Sequence, residues 1–228
     1  MAIAIVIAGM LTFVGVAAAA KIQGTGGADT IVGTTGSDSL YGLGGEDIIL
    51  GLRGSDRIFG NADDDELYGD GECPAGTTDA DYCATADTDA DGRDRIDGQE
   101  GDDVLYGNGN NDRLKGSIGD DVLYGNTGDD RLEGNAGDDD LRGNEGDDRL
   151  TGGMGSDDLR GGAGEDSIYA TTDDDVTDLL FGGPGDDVLR SRNGSRDDVN
   201  CGGGEDRAIV DQRDEVSPNC ERVFVNNN

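Results

Sequence analysis

The chain has 228 residues, 51 acidic against 17 basic, for a formal net charge of −34, with 42 Gly, four Phe and neither His nor Trp. That balance excludes an ordinary aromatic and aliphatic globular core. It also excludes nucleic acid as a natural partner, because such a field repels phosphate and no Lys/Arg stripe with interleaved aromatics is present.

Residues 1–20 are uncharged and apolar, with Ile3 to Val16 as the hydrophobic run and Ala18-Ala19-Ala20 as the small residues a signal peptidase accepts. This reads as a signal peptide cleaved before Lys21, and hence as a secreted, extracellular protein. An uncleaved anchor of about spanning length is the competing reading. From Gly24 a nine-residue unit repeats as GTGGADTIV, GTTGSDSLY, GLGGEDIIL, GLRGSDRIF and GNADDDELY, giving a first block over 24–68. The phase then breaks over an acidic insertion, 69–88, which Cys73 and Cys83 would close as a loop. At its end Asp87, Asp89, Asp91 and Gly92 spell D-x-D-x-D-G, the opening of an EF-hand-like loop, but Gly98 stands where the twelfth-position carboxylate belongs.

A second block, 89–209, runs unbroken from DADGRDRID to GGAGEDSIY and decays after residue 170. A C-terminal segment, 210–228, loses the glycines; its Val210, Val216, Val223, Phe224 and Val225 are expected to cover the open end of the stack. Four cysteines suit an exported protein, and of their three possible pairings sequence proximity favours Cys73 with Cys83 and Cys201 with Cys220. Zinc is a poor competitor, since the chain has no C-x-x-C and no His.

Position six is Asp in all eighteen units, and position eight is Ile, Leu or Val in every unit but the last, which has Ala208. Gly at positions one and four predicts positive φ in a tight turn, with positions seven to nine as a short strand whose position eight points inward. One inward aliphatic per unit makes no core alone, so the units must stack. Two units per coil would align aspartates eighteen apart in columns at about 4.8 Å, the strand spacing of a sheet. Like charges at that distance repel by roughly 1–3 kcal/mol per pair at surface dielectrics, so the columns require cations. Calcium fits because it takes six or more oxygens in flexible geometry, and about ten to sixteen ions would nearly cancel the charge.

In these repeats the chain resembles the hemolysin-type calcium-binding repeats of RTX (repeats-in-toxin) proteins, with the consensus G-G-x-G-x-D-x-U-x matched in full by GGAGEDSIY at Gly161 and GGPGDDVLR at Gly182. The resemblance spans Gly24 to about Ile209. It implies an all-β, right-handed parallel β-roll (a β-solenoid of about eighteen repeats) that folds on binding several calcium ions in its turns; the residues themselves add a C-terminal cap stapled by Cys201 and Cys220. The expected ligands are Asp29, Asp38, Asp47, Asp56, Asp65, Asp94, Asp103, Asp112, Asp121, Asp130, Asp139, Asp148, Asp157, Asp166 and Asp187. Asp178, Asp197 and Asp206 are expected to hold metal poorly, because Val176 and Ser195 replace the fourth glycine and Cys201 the first.

Arg95, Arg113, Arg131 and Arg149 recur at position seven and would form an outward ladder; the stronger reading pairs them with Asp97, Glu133 and turn acids. Tyr41, Tyr68, Tyr106 and Tyr124 read as sheet-surface packing. No His, nucleophile elbow or phosphate loop is present, and the carboxylates repeat in equivalent settings, so no enzyme is expected. The expected function is calcium-ion binding by a secreted repeat protein, with no nucleic-acid partner and no membrane insertion once the leader is removed. A cell-surface adhesion or spacer protein using the rigidified roll is the alternative.

Overall fold

The computed structural model describes residues 3–5, 19–70, 92–171 and 176–225. Among these residues twenty-two strands and no helix form two parallel sheets of twelve and ten strands, and from Lys21 on successive strands alternate between them. Two nine-residue units therefore make one coil. The register follows at eighteen residues per step: Arg113 lies beside Arg131 in one sheet and Tyr106 beside Tyr124 in the other. Each position-eight residue stacks on its equivalent, so Leu105, Leu114, Leu123, Leu132, Leu141 and Leu150 are at most 1% exposed. Each such burial stabilises by about 1.5–3 kcal/mol, and the core is this one ladder of aliphatics between two sheets.

The two repeat blocks are one solenoid. Arg57 pairs with Arg95 and Glu66 with Val104 across the insertion, so the extra residues are spliced between neighbouring coils without disturbing the stack. Gly69 and Asp70, counted above with the insertion, belong to strand Glu66–Asp70. Residues 71–91, which include Cys73, Cys83 and the EF-hand-like acids, lie outside the described residues. So does most of the leader; Ile3–Ile5 pairs in parallel with Lys21–Gln23.

Two local expectations are corrected. In the central coils the strands are six residues long, as in Arg113–Ile118 and Val122–Thr127, so they take in positions one to three of the following unit and leave the turn at positions four to six. Positive φ falls at position four as expected, but its companion is position two: Asn108, Asn126, Asn135 and Asn144 have φ of 75° to 86°. Asn tolerates the left-handed region through local hydrogen bonding, which explains the recurrent G-N dipeptide. The position-one glycines have another purpose. A Cβ on Gly125 would lie 2.3 Å from Asp130 Oδ2 and 2.8 Å from the Gly143 carbonyl oxygen.

The C-terminal segment stacks on the end of the ladder as a last coil, one strand in each sheet. Glu215–Val216 pairs with Asp198–Val199, and Arg222–Val225 pairs with Arg207–Val210. Val210 is buried and Val216 packs against the core, whereas Val223, Phe224 and Val225 are 42–52% exposed. The Cys201–Cys220 disulfide joins this last coil to its neighbour.

Candidate metal centre

Asp at position six points into the coil, on the same inward face as position eight, because strand alternation sends positions six, eight and one to one side. All fifteen proposed ligands, Asp29 to Asp187, are buried, as are Asp178, Asp197 and Asp206. They form two columns. One holds Asp38, Asp56, Asp94, Asp112, Asp130, Asp148, Asp166, Asp187 and Asp206; the other holds Asp29, Asp47, Asp65, Asp103, Asp121, Asp139, Asp157, Asp178 and Asp197.

Each column is wired by the same bond. The backbone N–H of one aspartate donates to Oδ1 of its equivalent in the next coil, at 2.7 Å from Asp112 to Asp130 and 2.8 Å from Asp130 to Asp148. The register slips after Tyr169 and Ser191 do not interrupt it: Asp157 donates to Asp178, and Asp178 to Asp197, each at 2.9 Å. The three decayed-repeat aspartates thus keep their places in the columns. What distinguishes Asp178 is a neighbour, since Asn193 Nδ2 reaches its Oδ2 at 3.4 Å.

The second carboxylate oxygen is the chemically open one. Oδ2 of Asp103, Asp112, Asp121, Asp130, Asp139, Asp148, Asp166 and Asp187 is buried and has no hydrogen-bond partner among the described residues. A buried carboxylate oxygen without a partner is costly. Burial first, and then the neighbouring carboxylates, push Asp112 up to about 10 and Asp56, Asp139 and Asp148 up to about 8. Against this, the intercoil N–H bond favours the charged form. In the first two units Thr25 and Thr34 donate their backbone N–H to Oδ2 of Asp29 and Asp38, which leaves Oδ1 as the buried, partnerless oxygen of Asp29.

The setting suits a hard divalent cation. At the position-one glycine of several units, Oδ2 and a backbone carbonyl of the next coil border the same space: Asp56 Oδ2 with Gly69 O at Gly51, Asp94 with Gly107 at Gly69, and Asp148 with Gly161 at Gly143. Any side chain there would fill it. Every donor is oxygen, which favours calcium over softer metals. Among the described residues no three acidic, His or Cys side chains converge on one point, so an ion would take backbone carbonyls alongside carboxylates.

Sequence reasoning missed several members of this arrangement. Asp214 Oδ1 and Glu221 Oε2 accept the N–H of Asp197 and Asp206, closing the two columns in the segment that lacks glycines. Only the spacing from the last regular aspartate hints at them. A further column stands at position five, exposed on the turns: the N–H groups of Asp120, Asp138 and Ser156 donate to Oδ1 of Asp102, Asp120 and Asp138. It runs in the opposite sense to the buried one, so each coil is clamped to both neighbours. The recurrent D-D dipeptide was its signal.

A family model for RTX calcium-binding nonapeptide repeats, four copies long, matches residues 23–58, 42–72, 89–123, 115–150, 124–159, 151–189 and 177–207. No curated protein matches the chain.

Proposed function

The chain belongs to the RTX calcium-binding nonapeptide-repeat family, and from that premise we propose that it is a secreted, non-catalytic protein whose roll closes around about ten to sixteen calcium ions. The observation that carries this is the row of buried, partnerless Oδ2 atoms in both aspartate columns. Burying a carboxylate without a partner opposes folding, and a cation shared between coils removes that penalty while cross-linking the coils it joins. The proposed ligands are the fifteen aspartates from Asp29 to Asp187 named above, with Asp178, Asp197 and Asp206 contributing less. The apolar leader supports export, where millimolar calcium suits many weak sites. The equivalence of the carboxylates supports a non-catalytic role, since acid–base work needs a pair in unlike environments.

The test is far-UV circular dichroism of the leaderless chain titrated from chelator into calcium, with native mass measurement of the ions bound. A cooperative gain of β signal accompanied by uptake of roughly ten or more ions is expected. The same spectrum with and without calcium would overturn the proposal.

A further inference from the structure

The two aspartate columns change character at their C-terminal end. In the unit that begins at Arg192, burial alternates straight through the segment that is a turn elsewhere: Ser191, Asn193, Ser195 and Asp197 are buried, while Arg192 and Arg196 are exposed. Position-two asparagines of the central coils, such as Asn126 and Asn135, are half-buried, whereas Asn193 is 7% exposed. Its Oδ1 accepts from the Ser195 N–H at 3.1 Å, so Nδ2 is the atom that faces the column, and it donates to Asp178 Oδ2 at 3.4 Å. Burial pushes the next carboxyl, Asp197, up to about 7, and the Asn193 side chain acts against that rise. A neutral donor therefore stands between carboxylates of successive coils. Asp214, which follows, has both oxygens satisfied: Oδ1 accepts from the Asp197 N–H at 3.2 Å, and Oδ2 from Ser191 Oγ and the Asp211 N–H at 2.7 and 2.8 Å.

In the other column the replacement is covalent. At Gly143 and Gly182 a Cβ would lie 2.1 and 2.3 Å from Oδ2 of the unit's own aspartate. Cys201 holds that position in the unit of Asp206, so its side chain enters the space that a glycine leaves open. It is fully buried and bonded to Cys220, 19 residues on, in the last coil. Oδ2 of Asp197 and of Asp206 has no hydrogen-bond partner among the described residues, but neither carboxylate has a position-one glycine in its unit, where Arg192 and Cys201 stand instead. Asn219 adds a further direct link between these coils, with Nδ2 donating to Asn200 Oδ1 at 2.7 Å and to the Gly202 carbonyl at 3.1 Å. Asp187, beside Gly182, is the last site of the regular kind.

We propose that the C-terminal coils form an end of the roll that stays folded without calcium, with the Asn193 amide and the Cys201–Cys220 disulfide standing where the other coils use ions. The contrast rests on calcium filling the regular columns, as proposed above. Carboxylates stacked in register repel. A cation removes that repulsion only in proportion to its concentration, whereas an amide donor that belongs to the chain is always present and favours the charged form. The cross-link likewise restricts the unfolded chain whether or not metal is there. Six strands from Leu179 to Val225 make three coils, the number a stack needs to bury its ladder. Leu180, Leu189, Val199, Ala208 and Val210 are at most 2% exposed within them. Removal of calcium therefore releases the regular coils and leaves this end in place.

The test is hydrogen exchange of the full, oxidised chain, read by mass spectrometry of its peptides in chelator and in saturating calcium. In chelator the strands Asp198–Gly203 and Arg207–Val210 should exchange about tenfold or more slower than Arg113–Ile118 and Val122–Thr127, and in calcium all four should be protected. Asn193→Asp puts a carboxylate where the amide stands, and should remove the protection in chelator while leaving it intact in calcium. Cys201→Ser/Cys220→Ser should do the same, and slow exchange in calcium shows that each variant still folds. Uniformly fast exchange of the parent in chelator would overturn the proposal and leave calcium binding standing. So would protection in chelator that neither variant lowers. Exchange that calcium alters nowhere in the chain would overturn it together with the calcium reading beneath it.

Discussion

Gly125→Ala isolates the role of the position-one glycine. The backbone there is not in the left-handed region, so alanine should on that count stabilise by about 0.4–1 kcal/mol through the unfolded chain. Space decides otherwise. The added methyl would stand 2.3 Å from Asp130 Oδ2 and 2.8 Å from the Gly143 carbonyl oxygen, an overlap of roughly 1 Å with the carboxylate. Relief requires Asp130 to swing away, which breaks its 2.7 Å bond from the Asp112 N–H and removes its oxygen from the proposed calcium site. Overpacking of this kind costs about 1–3 kcal/mol, and the loss of a ligand adds to it. The reference is Gly26→Ala, whose Cβ would meet nothing within 4 Å. Denaturant unfolding in saturating calcium should show Gly125→Ala destabilised by about 1–3 kcal/mol and Gly26→Ala within about 0.5 kcal/mol of the parent, with the calcium midpoint raised only in the former. Equal stability of the two variants would refute the steric reading.

Acid should partly replace calcium. The interior aspartates are raised above their ordinary value by burial and by one another, to about 8 for Asp56, Asp139 and Asp148. Folding without metal therefore takes up protons, so their contribution is fully present below the unfolded value near 3.8 and is lost as pH rises through the folded values. Metal-free chain should keep most β signal near pH 4 and lose it between about pH 6 and 8; a β signal that grows with pH in the absence of metal would contradict this. At position two of the third unit, Leu43 holds φ of 90° and is 38% exposed. Leu43→Asn should raise stability in calcium by about 1 kcal/mol, read from the denaturant midpoint, and a loss of stability would show that Leu43 contributes packing that outweighs its strain.

Much of this molecule was legible in the sequence because every coil repeats one environment. Asp at position six and an aliphatic at position eight recur where one local geometry recurs, so period nine gave the two-unit coil, the leucine ladder and the aspartate columns. The same logic placed Asp178, Asp197 and Asp206 in the rhythm. Contacts between coils join residues 18 apart where the phase is unbroken, as the period predicts, but 19, 21 or 38 apart where it slips, and those no local pattern discloses. That Gly125 is glycine to make room for Asp130, that Asn108 and not Gly107 takes the left-handed turn, and that Asp214 and Glu221 finish the columns all depend on which atoms the next coil presents. So do the partners of the arginine ladder: among the described residues Arg131 pairs with Glu133 and Arg149 with the Tyr169 hydroxyl. Periodicity fixes which positions share a face, whereas the identity of a neighbour across coils is set by the closure of the solenoid.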